Sequence, residues 1–131
     1  MALLTTSLTP RFYETDALGH IGNTAITGWF EVARSRMLDV IWKGEARPAN
    51  VVVASMTIDY LRETFYGSEV YLDITAVTAG NTSLTVECEM RQNDQVTVKA
   101  SAVLVQIDLA SKTKVRVPDS VRAAIAALSA D

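Results

Sequence analysis

Hydrophobic and polar positions change period once along this chain, and that change divides it into a helical part and a β part. Ile26, Trp29, Phe30, Ala33, Met37, Val40 and Ile41 recur at helical spacing, with Thr27, Glu31, Arg34 and Ser35 off the stripe. This predicts one amphipathic helix from about Asn23 to Lys43, ended by Gly44 and the later Pro48. After Asn50 the period drops to two. Val52, Ala54, Met56, Ile58 and Tyr60 alternate with Val53, Ser55, Thr57, Asp59 and Leu61, and three further runs follow: Val70 to Ile74, Leu84 to Met90, and Val96 to Leu104. Gly67-Ser68, Gly80-Asn81 and Asn93-Asp94 separate them as turns. Gaps this short predict antiparallel neighbours, because parallel strands need a long crossover. Ahead of the helix, Leu8 to Tyr13 reads as a short strand and Glu14 to Asn23 as a loop; Pro118, Asp119 and Ser120 open a short C-terminal helix to about Leu128.

The expected architecture is therefore α+β, an antiparallel sheet of about five strands covering the apolar stripe of one long helix, in a single domain spanning residues 1–131. A sheet wrapped on one helix leaves edges exposed, which predicts a homodimer pairing edge strands across a two-fold axis, or a homotetramer built from it.

Composition narrows the function classes. The net charge is −3 and the 12 basic residues are scattered singly, which argues against nucleic acid as a partner. No apolar run approaches the ~20 residues of a membrane span, and Met1 to Pro10 has no signal-peptide character. Cys88 is the sole cysteine and sits among alternating apolar positions, as a buried hydrophobe does; a reducing, cytoplasmic location is expected. His20, the only histidine, is far from Cys88 in sequence, so no metal-ligand cluster is expected.

The candidate chemistry lies in the loop entering the long helix. Asn23 falls at the predicted helix start, where backbone N–H groups lack intrahelical partners and the dipole is positive, so the terminus can stabilise an oxyanion. Gly19 and Gly22 keep side chains away from its approach. Asp16, at the other end of the loop, is able to activate a water or attack a carbonyl; a turn-capping role is the alternative from residue type alone. Glu31 is either an ion-pair partner of Arg34 or a second site carboxylate, and Ile21, Ile26 and Trp29 are either lining for an acyl tail or core.

The run Arg11-Phe12-Tyr13-Glu14-Thr15-Asp16-Ala17-Leu18-Gly19-His20-Ile21-Gly22-Asn23, with Trp29-Phe30-Glu31-Val32-Ala33-Arg34 after it, resembles the signature of hotdog-fold acyl-CoA thioesterases of the 4-hydroxybenzoyl-CoA thioesterase-like group. The likeness continues through Ile58-Asp59-Tyr60-Leu61-Arg62 to Val117-Pro118. It implies a hotdog fold and an acyl thioester substrate carried by coenzyme A or a phosphopantetheine carrier, with no resident cofactor. It further implies that Asp16 is the catalytic carboxylate, that the Asn23 amide belongs to the oxyanion hole, and that His20 orients the turn or contacts the thioester. Glu31 stands where another branch of the fold keeps its carboxylate. Gly19, Ile21 and Gly22 would line the substrate, and Arg62 with the turn residues Asn81, Thr82 and Ser83 would hold the carrier. Gly22 departs from the asparagine common in the group, and residues 78–83 lack the basic side chains some relatives offer to the coenzyme A phosphates; Arg62 or Lys99 is left to supply that charge. Two other readings remain at this stage: a hotdog hydratase or dehydratase using His20 and Glu31, and a non-catalytic acyl-ligand binding module.

Overall fold

The computed structural model describes residues 2–42 and 51–130. Strand β1 (Leu4–Leu8) precedes a short 3₁₀ turn (Phe12–Glu14) and the long helix α1 (Asn23–Ile41). Strands β2 (Val51–Tyr60), β3 (Val70–Ala79), β4 (Ser83–Gln92) and β5 (Gln95–Gln106) follow, and helix α2 (Asp119–Ser129) closes the chain. All strand pairs are antiparallel, in the order β1-β3-β4-β5-β2. The result is the expected five-stranded sheet around one central helix, the hotdog architecture.

The core is where the two periodicities meet. From α1, Ile26, Trp29, Phe30, Ala33, Met37 and Ile41 are buried, and from the sheet Val70, Leu72, Ile74, Leu84, Val86, Met90, Val98 and Leu104 face them. Each large side chain removed from water contributes about 1.5–3 kcal/mol, so this contact supplies most of the drive to fold. Val121 and Ile125 bring α2 onto the same cluster.

Four expectations change. The first strand is Leu4–Leu8 and not Leu8 to Tyr13: Pro10 has no N–H to give a ladder, and Phe12 and Tyr13 stand 77% and 78% exposed on the 3₁₀ turn. Helix α1 ends at Ile41, with the Trp42 N–H donating to the Leu38 carbonyl; Gly44 and Pro48, read as its stop, lie outside the described residues. The strands do not form a simple meander. β2 pairs with β5 at one edge while β3 lies beyond β4, so the connection 61–69 crosses the end of the sheet over roughly 15 Å. Finally, Arg34 is buried at 7% exposure although it lies off the apolar stripe, with Nη1 3.6 Å from the Met56 sulfur. Burial pushes its guanidinium down from its ordinary value, and the charge of Glu31 opposes that.

Candidate active site

The loop before α1 is a miniature β-ladder. The Gly22 N–H donates to the Glu14 carbonyl at 2.9 Å, Thr15 bridges Ile21, and the Asp16 N–H donates to the His20 carbonyl at 2.8 Å. Residues 16–19 close its tip, where the Gly19 N–H reaches the Asp16 carbonyl at 3.2 Å with Gly19 at φ +80°, a region that L side chains enter only under strain. Asp16 stabilises this tip itself, since its Oδ1 accepts the N–H groups of Leu18 (2.8 Å) and His20 (3.1 Å). Both readings of Asp16 thus share one carboxylate: Oδ1 caps the turn, while Oδ2 accepts no hydrogen bond from the described residues and the residue is exposed.

The ladder runs directly into the helix. Gly22 is the N-cap, without a side-chain cap, and the first intrahelical bond runs from the Ile26 N–H to the Gly22 carbonyl at 3.2 Å. Asn23, Thr24 and Ala25 therefore open α1 with backbone donors ahead of the first helical bond. A capping asparagine at position 22 would engage one of them; glycine does not. Asn23 is exposed, and its carbonyl accepts the Thr27 hydroxyl at 3.0 Å.

Glu14, unremarked in the sequence, anchors the loop. Its carboxylate accepts the Trp29 indole N–H (2.8 Å) and the Arg11 backbone N–H (2.7 Å), tying the loop to the buried face of α1. The other wall is the crossing connection. Thr64 accepts the Ile21 N–H at 2.8 Å, Phe65 bridges His20, and their rings meet edge to face at 5.1 Å. His20 Nδ1 pairs with the Glu63 carboxylate. Ile21, Ile26 and residues 60–64, Arg62 among them, line a hollow of about 270 Å³ beside the helix opening. The Thr64 hydroxyl there is buried and has no hydrogen-bond partner among the described residues.

Asp16, Gly19, His20, Ile21, Gly22 and Asn23 thus share one loop, and of them Ile21 shares the hollow with Arg62; neither Asp16 nor Glu31 lines that hollow. Glu31 lies further along α1, on a hollow of about 280 Å³ with Arg34, Ser35, Leu38, Val51, Val53 and Leu104, which Asp16 does not line. Asn81, Thr82 and Ser83 lie at the opposite end of the sheet from Arg62. The Arg62 N–H is held by the Thr97 carbonyl whereas Ser83 pairs with Val105, and residues 97 and 105 of β5 are about 26 Å of strand apart. Lys99 sits on the outer sheet face beside Glu89 at 3.7 Å, also far from that turn.

The turn is built for closeness. A Cβ on Gly80 would lie 2.6 Å from the Ser83 hydroxyl, and the Gly80 N–H donates to the Ser83 carbonyl at 2.8 Å. A cation does reach it. Arg122 from α2 donates to the carbonyls of Gly80 (2.7 Å), Asn81 (3.1 Å) and Val117 (3.2 Å), a contact no local pattern announced. Cys88 is buried in the core, and burial pushes its thiol up to about 12, the state of an inert side chain. Among the described residues no group of three or more His, Cys, Asp or Glu side chains is suited to a metal ion, and no helix is long and apolar enough to cross a membrane.

Residues 10–125 match the family model of the thioesterase-like superfamily. Among solved structures, a predicted thioesterase from Bacillus stearothermophilus is 32% identical over 94% of this chain and 93% of its own, with a TM-score of 0.85. A thioesterase from Thermus thermophilus, complexed with coenzyme A and Zn, is 28% identical over 99% and 96% of the two chains, with a TM-score of 0.88. The DHNA-CoA thioesterase of Staphylococcus aureus, 18% identical over 96% and 90%, shares the fold at a TM-score of 0.81. A search of curated proteins finds no significant match. With the match spanning the loop, the central helix and every strand from β2 to β5, the chain belongs to the thioesterase-like superfamily and is a hotdog-fold thioester hydrolase.

Proposed function

We propose that this enzyme hydrolyses acyl thioesters of coenzyme A or of a protein-bound phosphopantetheine at the loop before α1, with Asp16 as the catalytic carboxylate and the Asn23 amide as an oxyanion donor. The observation that carries this reading is the continuous ladder from Glu14 to Gly22, which joins the Asp16 turn to a helix terminus without a side-chain cap. In the reaction, Asp16 takes a proton from water as the water oxygen bonds to the acyl carbon. The carbonyl oxygen becomes an oxyanion facing the helix N–H groups, and its collapse expels the thiolate, which takes up the proton. Direct attack by Asp16 gives an acyl anhydride that water then opens to the same products. Coenzyme A as the carrier is supported by its presence in the Thermus thermophilus relative. No resident cofactor enters this scheme.

We place the enzyme in the cytosol as a homodimer. Among the described residues no strand pairs with the outer edge of β2, and Val52, Val53 and Tyr60 are exposed along it, the kind of edge a second copy covers across a two-fold axis. Light scattering at micromolar concentration is expected to return the dimer mass or a multiple of it, and a monomer would remove the proposal.

The function itself is tested by free-thiol release from a panel of short, long, aromatic and hydroxylated acyl-CoA esters. Turnover of at least one class is expected; binding without release of thiol would instead mark an acyl-ligand binding module.

A further inference from the structure

Strand β4 turns Leu84, Val86, Cys88 and Met90 toward the core, and the next inward position holds Gln92, 3% exposed. An amide at a core position is costly unless its donors and acceptor are engaged, and here all are. Oε1 accepts the Phe65 N–H at 3.0 Å, while Nε2 donates to the carbonyls of Phe65 (2.8 Å) and Ser68 (3.0 Å). Gln92 is itself fixed in place. Asn93 and Asp94, at φ 53° and 64°, make the two-residue hairpin turn that sets Gln92 opposite Gln95, so the strand cannot slip.

The segment that Gln92 holds forms the wall of the site. From Phe65 the contact passes by backbone bridge and ring edge to His20, whose N–H is bound by Asp16, and from Thr64 by hydrogen bond to Ile21. We infer that Gln92 is a positioning residue for hydrolysis: its amide clamps residues 64–68 against the 16–22 loop and so sets the Asp16 carboxylate relative to the opening of α1. This rests on the reading that the loop is the hydrolytic site.

Gln92→Met keeps length and burial while removing all three hydrogen bonds, and Gln92→Glu keeps only the acceptor for the Phe65 N–H. For the Met variant kcat falls roughly tenfold to a hundredfold, the scale of an ångström-level misplacement, with KM changed less than threefold; the Glu variant lies between it and the parent. His20 is the only histidine, so its ring signals in the proton NMR spectrum are unambiguous reporters of the Phe65 ring. They shift in Gln92→Met, and the Ile21 N–H exchanges faster with solvent. Asp73→Asn, which loosens the sheet away from the loop, serves as the stability control and leaves kcat unchanged.

Unmoved His20 signals, an unchanged kcat, or an equal loss of kcat in Asp73→Asn would each overturn the inference, and Gln92→Glu carries the same readouts if the Met variant does not fold. An unchanged kcat in Gln92→Met beside an inactive Asp16→Asn overturns the positioning role alone. Full activity in Asp16→Asn overturns the site.

Discussion

The two ends of the sheet are built from similar materials and use them in opposite ways. At one end, the 14–23 loop and the 61–68 connection keep chemically capable groups uncommitted among the described residues: Asp16 Oδ2, the first amides of α1, and the buried Thr64 hydroxyl. Exposed apolar side chains surround them, Phe12, Tyr13, Leu18, Phe65 and Tyr66. At the other end, the 80–83 turn spends its carbonyls on structure, where they are taken by Arg122 and by the N–H groups of Val117, Gln106 and Gly80. Groups committed to structure are unavailable for a reaction, so the contrast favours the proposed chemistry at the loop end and leaves the turn end a supporting or binding role.

The largest effect that probes this contrast is at Glu14. Glu14→Ala strips the partner from a buried indole N–H and releases the Arg11 turn, so it should cost about 2–3 kcal/mol in denaturant unfolding and lower kcat as well. Loss of stability with kcat intact would show that the loop end does not need its anchor for chemistry. At the turn end, Arg122→Ala removes three hydrogen bonds from a charged donor and should cost about 1–2 kcal/mol. Its steady-state signature is a KM raised severalfold for coenzyme A esters at constant kcat; a large fall in kcat would erase the division between the ends.

The smallest effect belongs to neither end. Burial alone would raise the Asp73 carboxyl, but hydrogen bonds from Arg91 and Thr5 outweigh it and hold it below its ordinary value. A folded-state pKa below the unfolded one adds stability that is complete above the unfolded value, about pH 4, and fades as pH falls through the lower folded value. Because Arg91 is partly exposed, Asp73→Asn should cost only about 1 kcal/mol at neutral pH, and thermal unfolding between pH 5 and 2 should show a shallower acid decline than the parent.

How far the sequence carried this picture depended on whether the signal was local. The stripe from Ile26 to Ile41 and the Asn93-Asp94 hairpin were legible because periodicity and positive φ are properties of neighbouring residues. Phe12 and Tyr13 misled because their bulk suggested a strand, whereas they stand in solvent beside the site. The expected pairing of β2 with β3 failed because strand order depends on where a connection runs, and 61–69 crosses the sheet end to bring Phe65 to His20. Gln92 did leave a trace: it breaks the apolar alternation Leu84, Val86, Cys88, Met90 at an inward position. Glu14 and Arg122 left none, since their partners, Trp29 and Gly80, are brought close by the fold alone.

Of the two carboxylates that compete for the catalytic role, only Asp16 belongs to the loop that opens α1, while Glu31 lines a separate hollow with Arg34. The most direct measurement compares kcat for Asp16→Asn and Glu31→Gln on the best thioester of the panel, with both proteins verified as folded. Asparagine retains the oxygen that caps the turn and removes the charge, so Asp16→Asn should lose at least about a hundredfold while Glu31→Gln stays within about threefold of the parent. The opposite order would move the chemistry to the hollow beside Arg34 and contradict the assignment of the loop.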